Sequence, residues 1–438
     1  MSFPRYPKYK DSGVEWLGEV PDAWQVSRLK HVVANLASGG TPDTSTPRFW
    51  AEDEDQGTPW VAIGDMTRES IVRSTEKRIS AEGLASKRLE VLPAGTLLYS
   101  MFASLGKVAT LGVPATVNQA ILGITPNESV LSGAYLRYWL GYLESHLGQF
   151  SSSNTQDNLN AGKVRGFPVA VPRPSEQAAI AAFLDRETAK IDALIAEQQR
   201  LIELLQEKRQ AVISHAVTKG LNPDAPMHDS GIKWQGDVPR HWTLTRLDRI
   251  SDFVNGKAHE PYVNDDGPFI CVTSRFISTN GEAVRLCSEN LTPAARDDIL
   301  MVMSDLPNGR ALARTCHVQD DSDYAINQRV CAIRPTGAAP RYLAFLLDRN
   351  PWFLQNDDGM NQTHLSVADF RKMPIVLPPT EEQDAIGKHL DSLVAVAAGL
   401  IDRAETCITL LQERRSALIS AAVTGQIDIR GLAGTEAA

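Results

Sequence analysis

The sequence predicts an α+β protein in which two similar α/β domains are separated by two long helices that form an antiparallel coiled coil, giving a pseudo-two-fold internal repeat. Three observations predict this fold class. A short segment occurs twice, a longer segment also occurs twice, and the longer one carries a heptad pattern of apolar residues. With 438 residues the chain is long enough for two or three domains.

The shorter repeat, called here the doubled segment, reads DSGVEWLGEVPDAW at residues 11–24 and DSGIKWQGDVPRHW at residues 229–242. Over the twenty positions that begin at 11 and at 229, ten are identical. Its tryptophans are Trp16, Trp24, Trp234 and Trp242. A repeated tryptophan beside Gly and Pro is more typical of an anchor that ties a segment to its domain than of a surface that stacks on bases.

The longer repeat aligns residues 159–218 with residues 365–424 without a gap, and 25 of the 60 positions are identical. Each copy begins with an apolar run bounded by proline, FPVAVPRP from Phe167 and MPIVLPPT from Met373. Proline fixes φ and lacks an N–H, so each run predicts a short strand that ends at its proline.

A long helix without proline follows each strand. We expect Ser175 in the first copy, and Thr380 with Gln383 in the second, to cap its start. Gly220 and Gly425 are expected to end the two helices.

The helices carry one heptad register each. The register consists of Leu184, Ile191, Leu205 and Val212 in the first copy, broken only by Gln198, and of Leu390, Ala397, Ala404, Leu411 and Leu418 in the second. A pattern this long requires a partner helix, and the other copy in an antiparallel pair is the most economical partner. The alternative, burial of each helix in its own domain, is less favoured because about 43 residues at ~1.5 Å each form a rod of roughly 65 Å.

Between the repeats, short apolar segments of the two halves align in the same order. They are Trp60–Ile63 with Phe269–Val272, Ala94–Leu98 with Arg296–Leu300, and Val117–Ile121 with Ile326–Val330. Tyr135 and Tyr342 open short amphipathic helices. The predicted domains are therefore an α/β domain at 1–170, a spacer helix at 171–220, a second α/β domain at 221–376, a second spacer helix at 377–425 and a tail at 426–438.

Composition excludes several classes of protein. With 43% apolar and 22% charged residues the chain is neither disordered nor fibrous. No run approaches the ~18 to 20 apolar residues that cross a bilayer, and the start, MSFPRYPKYK, lacks the apolar core of a signal peptide. We expect a cytoplasmic protein. No HxH, HExxH or CxxC spacing is present, so no metal site is expected.

These features together resemble the specificity subunit of type I restriction-modification enzymes, over essentially the whole chain. The resemblance rests on the doubled segment, the (V/I)NQ strand, and the helix starts VPRPSEQAAI and LPPTEEQDAI, whose helices end in SHAVTKG and SAAVTG. It implies two target-recognition domains held apart by an antiparallel pair of helices. It also implies sequence-specific binding of duplex DNA at a two-part site.

The resemblance further implies a non-catalytic chain in a complex with DNA adenine methyltransferase and type I endodeoxyribonuclease activity. Two methylation subunits would carry S-adenosylmethionine and, in the full complex, restriction/translocase subunits would use ATP and Mg. The residues agree: no (N/D)PP(Y/F/W) loop, (D/E)xK pair or complete P-loop occurs. We expect no catalytic residue and no cofactor in this chain.

Candidate DNA-binding residues are those that bond a base edge at two points, together with adaptable hydroxyl and imidazole groups, in the loops where the copies differ. In the first domain they are Thr41, Arg48, Lys107, Thr155, Gln156 and Asn158. In the second they are Lys257, Arg275, Asn308, Arg310, Gln362, Thr363 and His364. Asn118, Gln119, Asn327 and Gln328 are the same in both copies, which suits a structural or phosphate contact better than base discrimination. Each could instead be a solvated loop residue.

Two other functions stay open. The net charge of −9 favours a coiled-coil scaffold with two protein-interaction domains, because DNA binding would require positive charge sorted onto one face or supplied by partners. A fused nuclease or methylase with unrecognised motifs is less favoured, because the expected motifs are absent.

Overall fold

The computed structural model describes residues 3–51, 57–102, 104–150, 159–305, 311–355 and 363–431. The chain divides into two compact units. Unit 1 comprises Met1–Gln198 with Thr406–Ala438, and unit 2 comprises Gln199–Glu405. Each long helix therefore begins in one unit and ends in the other. The domain boundaries set from the sequence stay a prediction.

Unit 1 contains thirteen strands and four short helices within its described residues, in addition to its parts of the long helices. The strands are β1 (Tyr9–Asp11), β2 (Glu19–Pro21), β3 (Gln25–Arg28), β4 (Val33–Ser38), β5 (Trp50–Ala51), β6 (Thr58–Val61), β7 (Ile71–Val72), β8 (Lys77–Ile79), β9 (Leu97–Ser100), β10 (Val108–Leu111), β11 (Thr116–Val117), β12 (Ile121–Pro126) and β13 (Pro168–Val171). The helices are α1 (Ile63–Arg68), α2 (Ala81–Lys87), α3 (Gly133–Leu143), α4 (Ala161–Arg165) and the long α5 (Pro174–Lys219).

Unit 2 repeats this order. Its strands are β14 (Met227–Asp229), β15 (Asp237–Pro239), β16 (Thr243–Arg246), β17 (Ser251–Asn255), β18 (Phe269–Val272), β19 (Leu286–Cys287), β20 (Ile299–Val302), β21 (Ser304–Asp305), β22 (Thr315–His317), β23 (Tyr324–Ile326), β24 (Val330–Pro335), β25 (Thr363–His364) and β26 (Pro374–Leu377). Its helices are α6 (Ser274–Ser278), α7 (Pro340–Leu347), α8 (Pro351–Leu354), α9 (Val367–Lys372) and the long α10 (Thr380–Val423).

The main sheets of the two units share their central strand order, and unit 1 has one more strand in each. Unit 1 has a sheet of order β4-β12-β9-β10-β7, and unit 2 has β17-β24-β20-β22. A second sheet is β11-β6-β8-β5 in unit 1 and β19-β18-β23 in unit 2, and it contains a parallel pair in each case, β6 with β11 and β18 with β23. The predicted fold class is confirmed, including the internal repeat. The predicted proline-bounded strands are β13 and β26, which pair antiparallel with β3 and β16.

One sequence alignment is wrong by two residues. Val61 is the β6 residue opposite Val117, and Val272 is the β18 residue opposite Ile326. Val61 therefore corresponds to Val272, whereas the sequence comparison had set Ile63 against Val272. A shift of two keeps each side chain on the same face of the strand, so alternation of apolar residues could not detect the error.

Unit 1 shows the antiparallel direction of its helix segments. Leu184 of α5 shares a buried cluster with Val423 of α10. About two turns further along α5, Asp192 forms an ion pair with Arg415, about two turns earlier on α10, with 2.9 Å between Nε and Oδ1. Residue numbers at the contacts rise along α5 as they fall along α10, so the two helix segments of unit 1 are antiparallel.

The same tyrosine bond closes both units. The Tyr135 hydroxyl of α3 is shared between the carbonyl oxygens of Val423 (3.1 Å) and Ala170 (2.9 Å), and Tyr342 of α7 donates to the Val217 carbonyl oxygen at 2.9 Å. Burial raises the pKa of both phenols, so they remain donors at any physiological pH. Each domain thus bonds to the last turns of the helix that arrives from the other half of the chain.

The expected helix ends are correct, but the expected caps are wrong. Gly220 and Gly425 follow α5 and α10 with φ of 75° and 73°, the left-handed conformation that ends a helix without a Cβ penalty. Ser175 lies inside α5, which begins at Pro174. Gln383 bonds outside its own helix, to the Ala339 N–H, instead of completing a capping box with Thr380.

The doubled segment anchors each unit. Trp24 is fully buried in the core of unit 1, and Trp242 is 5% exposed in the core of unit 2. The preceding tryptophans, Trp16 and Trp234, pack against the same clusters. Because these rings contribute to apolar cores, they act as the predicted anchors and are not placed to stack on bases.

Candidate nucleic-acid interface

The repeated Asn-Gln pair forms the same turn in both units, directly after the parallel strand pair. The Asn118 N–H donates to the Val61 carbonyl oxygen at 3.0 Å, and the Asn327 N–H donates to the Val272 carbonyl oxygen at 3.2 Å. The Asn118 side-chain oxygen accepts from the Ala120 N–H at 3.0 Å. These bonds stabilise the turn itself, so the asparagines have a structural role.

Asn327 is bonded more extensively than its counterpart. It is 7% exposed, and its side-chain oxygen accepts from the N–H groups of Gln328 (2.9 Å) and His259 (3.2 Å). The glutamines that follow the two asparagines, Gln119 and Gln328, are exposed. The turn therefore holds an asparagine that is partly buried in unit 1 and buried in unit 2, and it presents an exposed glutamine in both.

A glycine brings the variable loop against this turn. A Cβ on Gly39 would overlap the Asn118 carbonyl oxygen, and a Cβ on Gly256 would overlap that of Asn327. In unit 1 the loop continues to Thr41, whose hydroxyl donates to the Gln119 side-chain oxygen. The structure thus places the variable loop, which differs between the two copies, beside the Asn-Gln turn, which both copies share.

In unit 2 an open groove of about 820 Å³ lies next to the turn. Its lining includes Arg275, Arg285, Arg329, Glu260, Asn327 and Gln328. We call it the arginine groove, after Arg275, Arg285 and Arg329. It brings together three residues predicted from the sequence, namely Arg275, Asn327 and Gln328.

Sequence reasoning missed Arg285 and Arg329. A usable signal was present for Arg329, since it directly follows the constant Asn-Gln pair and differs from Ala120 at the same place in the other copy. For Arg285 no signal was available, because its place beside the groove depends on the antiparallel pairing of β18 with β19.

The arginine groove is positively charged although the chain carries a net charge of −9. Three of its lining residues are arginines and one, Glu260, is acidic. Glu260 pairs with Arg285 at 3.4 Å, with both side chains half exposed. Within the described residues, the guanidinium groups of Arg275 and Arg329 form no hydrogen bond or ion pair. Positive charge is therefore concentrated in this groove, as DNA binding by an acidic chain requires.

A buried cysteine adds no charge to this region. Cys271 lies on β18, two residues before the groove residue Thr273, in a small buried cluster with Cys287 and Ala325. Burial raises the pKa of the Cys271 thiol to about 11, so it is neutral at physiological pH. The electrostatic character of the groove is thus set by its arginines and Glu260.

In unit 1 two predicted cations are already paired. Arg48 lies 3.6 Å from Glu82, and the Lys107 amine lies 2.9 Å from the Glu144 carboxylate. All four side chains are substantially exposed, so water and salt weaken both pairs. The structure does not group Arg48 and Lys107 with the Thr41–Gln119 contact.

The remaining predictions divide into two groups. Lys257 is exposed and forms a parallel bridge with Asn327, and Thr363 and His364 form β25, which pairs with β21. The other predicted residues lie outside the described residues: Thr155, Gln156, Asn158, Asn308, Arg310 and Gln362. DNA contact by any of the predicted residues stays a prediction.

Two kinds of feature are absent from the described ranges. No group of three or more His, Cys, Asp or Glu side chains in these ranges is arranged to hold a metal ion. No helix in the described part of the chain is long and apolar enough to cross a membrane.

A family model described as the type I restriction modification DNA specificity domain matches residues 21–205 and 239–406. The type I restriction enzyme MjaIX specificity subunit of Methanocaldococcus jannaschii is 27% identical over 247 residues, which cover 55% of this chain and 54% of that protein. The EcoR124I/EcoR124II specificity subunit of Escherichia coli is 28% identical over 208 residues, covering 46% and 47%. These two alignments span about half of each relative. A putative MjaX specificity subunit of M. jannaschii is 23% identical over 410 residues, covering 86% and 88%.

Two solved structures share the fold. One comes from work on complex assembly and conformational transition of the type I R-M system, with a TM-score of 0.67, 18% identity, and coverage of 92% of this chain and 98% of that chain. The other is the HsdS subunit from Thermoanaerobacter tengcongensis, with a TM-score of 0.53, 17% identity, and coverage of 93% and 98%. At these identities the similarity concerns the fold alone.

Proposed function

Because this chain belongs to the type I restriction modification DNA specificity family, we propose that it binds duplex DNA at a two-part site, with one half-site contacted by each unit. The observation that supports the proposal is that the two units share one structural turn and differ in the loops beside it. Both units keep the Asn-Gln turn and the glycine beside it, while the loops next to that turn differ. A duplex offers the same phosphate backbone at both half-sites but different base edges. A shared turn suits contact with the backbone, and loops that differ suit contact with the bases.

Chemistry is assigned to partner subunits. Two methylation subunits carry S-adenosylmethionine and modify adenine, and restriction/translocase subunits use ATP and Mg in the full complex. Exposed apolar side chains on the long helices support protein partners. In unit 2 these are Leu201, Leu204, Val396 and Leu400, each more than 40% exposed. Several such side chains on one pair of helix segments favour a protein contact.

The two long helices set the distance between the half-sites. Readers that approach one side of a duplex need half-sites about one helical turn apart, ~34 to 36 Å from centre to centre, with unread bases between them. Beyond Pro174 at the first position of α5, neither helix contains a proline, which suits a spacer that must not bend.

A salt-dependent binding experiment tests the proposal. The full chain, assembled with its methylation subunits, is titrated onto duplexes at 50 mM and 200 mM salt. If the complex makes 6–10 phosphate contacts, its affinity should fall by roughly 10³ to 10⁵ between these conditions. In parallel, methylated adenines are sequenced in host DNA with and without the gene. A two-part modified sequence should appear only with the gene.

The coiled-coil scaffold with protein-interaction domains makes the opposite prediction. It expects no duplex binding and no change in the modified sequences when the gene is removed. Either result would overturn the DNA-specificity proposal. Methyl transfer or cleavage by the isolated chain would instead assign catalysis to it.

A further inference from the structure

The two units differ sharply at two positions next to the constant turn. Thr273 precedes α6 as Ala62 precedes α1, so Arg275 occupies the place of Gly64. Arg329 follows the constant Asn-Gln pair as Ala120 does in unit 1. Unit 2 thus has an arginine at both positions, and unit 1 has one at neither.

The two arginines are available for a ligand. Arg275 and Arg329 are exposed, and neither guanidinium has a partner among the described residues. Arg285, the third arginine of the groove, is instead paired with Glu260. A free guanidinium offers two parallel N–H donors in a fixed plane, which fit the O6 and N7 acceptors of guanine.

A base contact explains the difference between the units better than a phosphate contact does. The phosphate backbone is equivalent at both half-sites, so a phosphate contact should recur at corresponding positions of both units. Gly64 and Ala120 cannot make a side-chain contact of this kind. Base edges do differ between half-sites, and side chains that read them must differ as well.

We propose that Arg275 and Arg329 read guanine bases in the half-site bound by unit 2, and that unit 1 reads its half-site without arginine at the corresponding positions. This rests on the proposed DNA-specificity function. Gln328 follows the buried Asn327, is exposed like Arg329, and lines the same groove. It can therefore bond the edge of a neighbouring base pair. The arginine groove is then the specificity-determining surface of unit 2.

The experiment uses the full chain with its methylation subunits. The two-part sequence is first determined from the methylated adenines of host DNA. Binding is then measured on duplexes that each carry one changed base pair, for the wild type and for Arg275→Ala and Arg329→Ala. Each variant should lose roughly 5- to 150-fold discrimination at one G·C pair of a single half-site. Discrimination at the other base pairs of the same half-site should be unchanged, which shows that unit 2 is still folded, and discrimination in the other half-site should be unchanged as well.

Two further variants separate base contact from charge. Arg275→Lys and Arg329→Lys keep the positive charge but lose the planar two-donor fork, so they should bind with near wild-type affinity and reduced discrimination. Arg249→Ala removes an exposed charge of unit 2 outside the groove and should leave discrimination unchanged.

The outcomes are distinguishable. If the wild-type complex shows no sequence-dependent methylation, the proposed function itself fails. If that function holds but the half-site read by unit 2 contains no G·C pair, the inference is overturned. It is also overturned if the alanine variants lose affinity by the same factor for every duplex, since that result identifies a phosphate contact.

Discussion

A single glutamine joins each long helix to its domain. Gln383 is 3% exposed; its side-chain oxygen accepts from the Ala339 N–H at 2.8 Å and its amide donates to the Pro378 carbonyl oxygen at 2.8 Å. In unit 1, Gln177 accepts from the Ser132 N–H at 2.7 Å and donates to the Pro172 carbonyl oxygen at 2.9 Å. The glutamine of the repeated EQ pair is therefore a structural connector, which explains its presence in both copies.

Replacement of Gln383 by alanine should destabilise unit 2. The change leaves the Ala339 N–H and the Pro378 carbonyl buried without their partner, at a cost of roughly 1 to 3 kcal/mol for each group. We expect the free energy of unfolding, measured by urea titration, to fall by about 2 to 6 kcal/mol. Gln412→Ala, an exposed glutamine on the same helix, is the matched control and should change stability by no more than a few tenths of a kcal/mol. Equal effects of the two substitutions would contradict the connector role.

At the level of residues, the sequence predicted types of side chain better than their partners. Arg275 and Gln328 were predicted, and both line the arginine groove. Arg48 was predicted with the same reasoning, yet it pairs with Glu82 from another element. Whether an arginine is free to bind a ligand depends on acidic residues that other elements bring next to it. Residue spacing does not contain that information. Arg329 was not predicted because it lies outside the variable loops, directly after a pair that is the same in both copies.

Each long helix buries part of its predicted register. The buried members are Leu184, Ile191, Leu390, Ala397 and Ala404, whereas Leu205, Val212, Leu411 and Leu418 are only partly buried. Leu184 and Leu390, both members of the predicted register, are fully buried, whereas Leu194 and Leu400 are 45% and 41% exposed. The heptad pattern was predictable because its period is a property of the helix itself. The strand alignment failed at Trp60 because strand alternation repeats every two residues and cannot reveal a shift of two.

Truncation of a register leucine should therefore cost more than truncation of a neighbour. Leu390→Ala removes a fully buried side chain and leaves a cavity, so the free energy of unfolding should fall by about 2 to 5 kcal/mol. Leu400→Ala, on the same helix, should cost less than about 1 kcal/mol because its side chain is already partly hydrated. If instead Leu400→Ala weakens binding of the methylation subunits at unchanged stability, it identifies that leucine as part of the partner surface. Similar stability losses for both variants would argue against the predicted seam.

At the scale of the whole chain, two units with separate cores would allow the independent reading of each half-site that the proposed function requires. Unit 1 and unit 2 each have their own main buried cluster. Exchange of residues 221–376 for the second domain of another family member should change one half of the recognised sequence and leave the other half intact. The measurement is sequencing of methylated adenines in cells that carry the hybrid. A change in both halves would show that the units do not read independently.

The spacer role of the helices can be tested by lengthening both at once. Seven residues added after Gln198 in α5, and seven after Glu405 in α10, preserve the heptad register of each helix. At ~1.5 Å per residue this adds about 10 Å, which corresponds to roughly three base pairs of duplex. The unread gap should lengthen by about that amount while both half-sequences stay the same, as read from the methylated sites. Insertion in α5 alone is the control: it shifts the pairing of the two helices by one heptad beyond the insertion and leaves α5 about 10 Å longer than α10, so it should abolish methylation. A double insertion that alters the half-sequences, or leaves the gap unchanged, would mean that the helices do not set the spacing and that the distance between half-sites is fixed by the partner subunits.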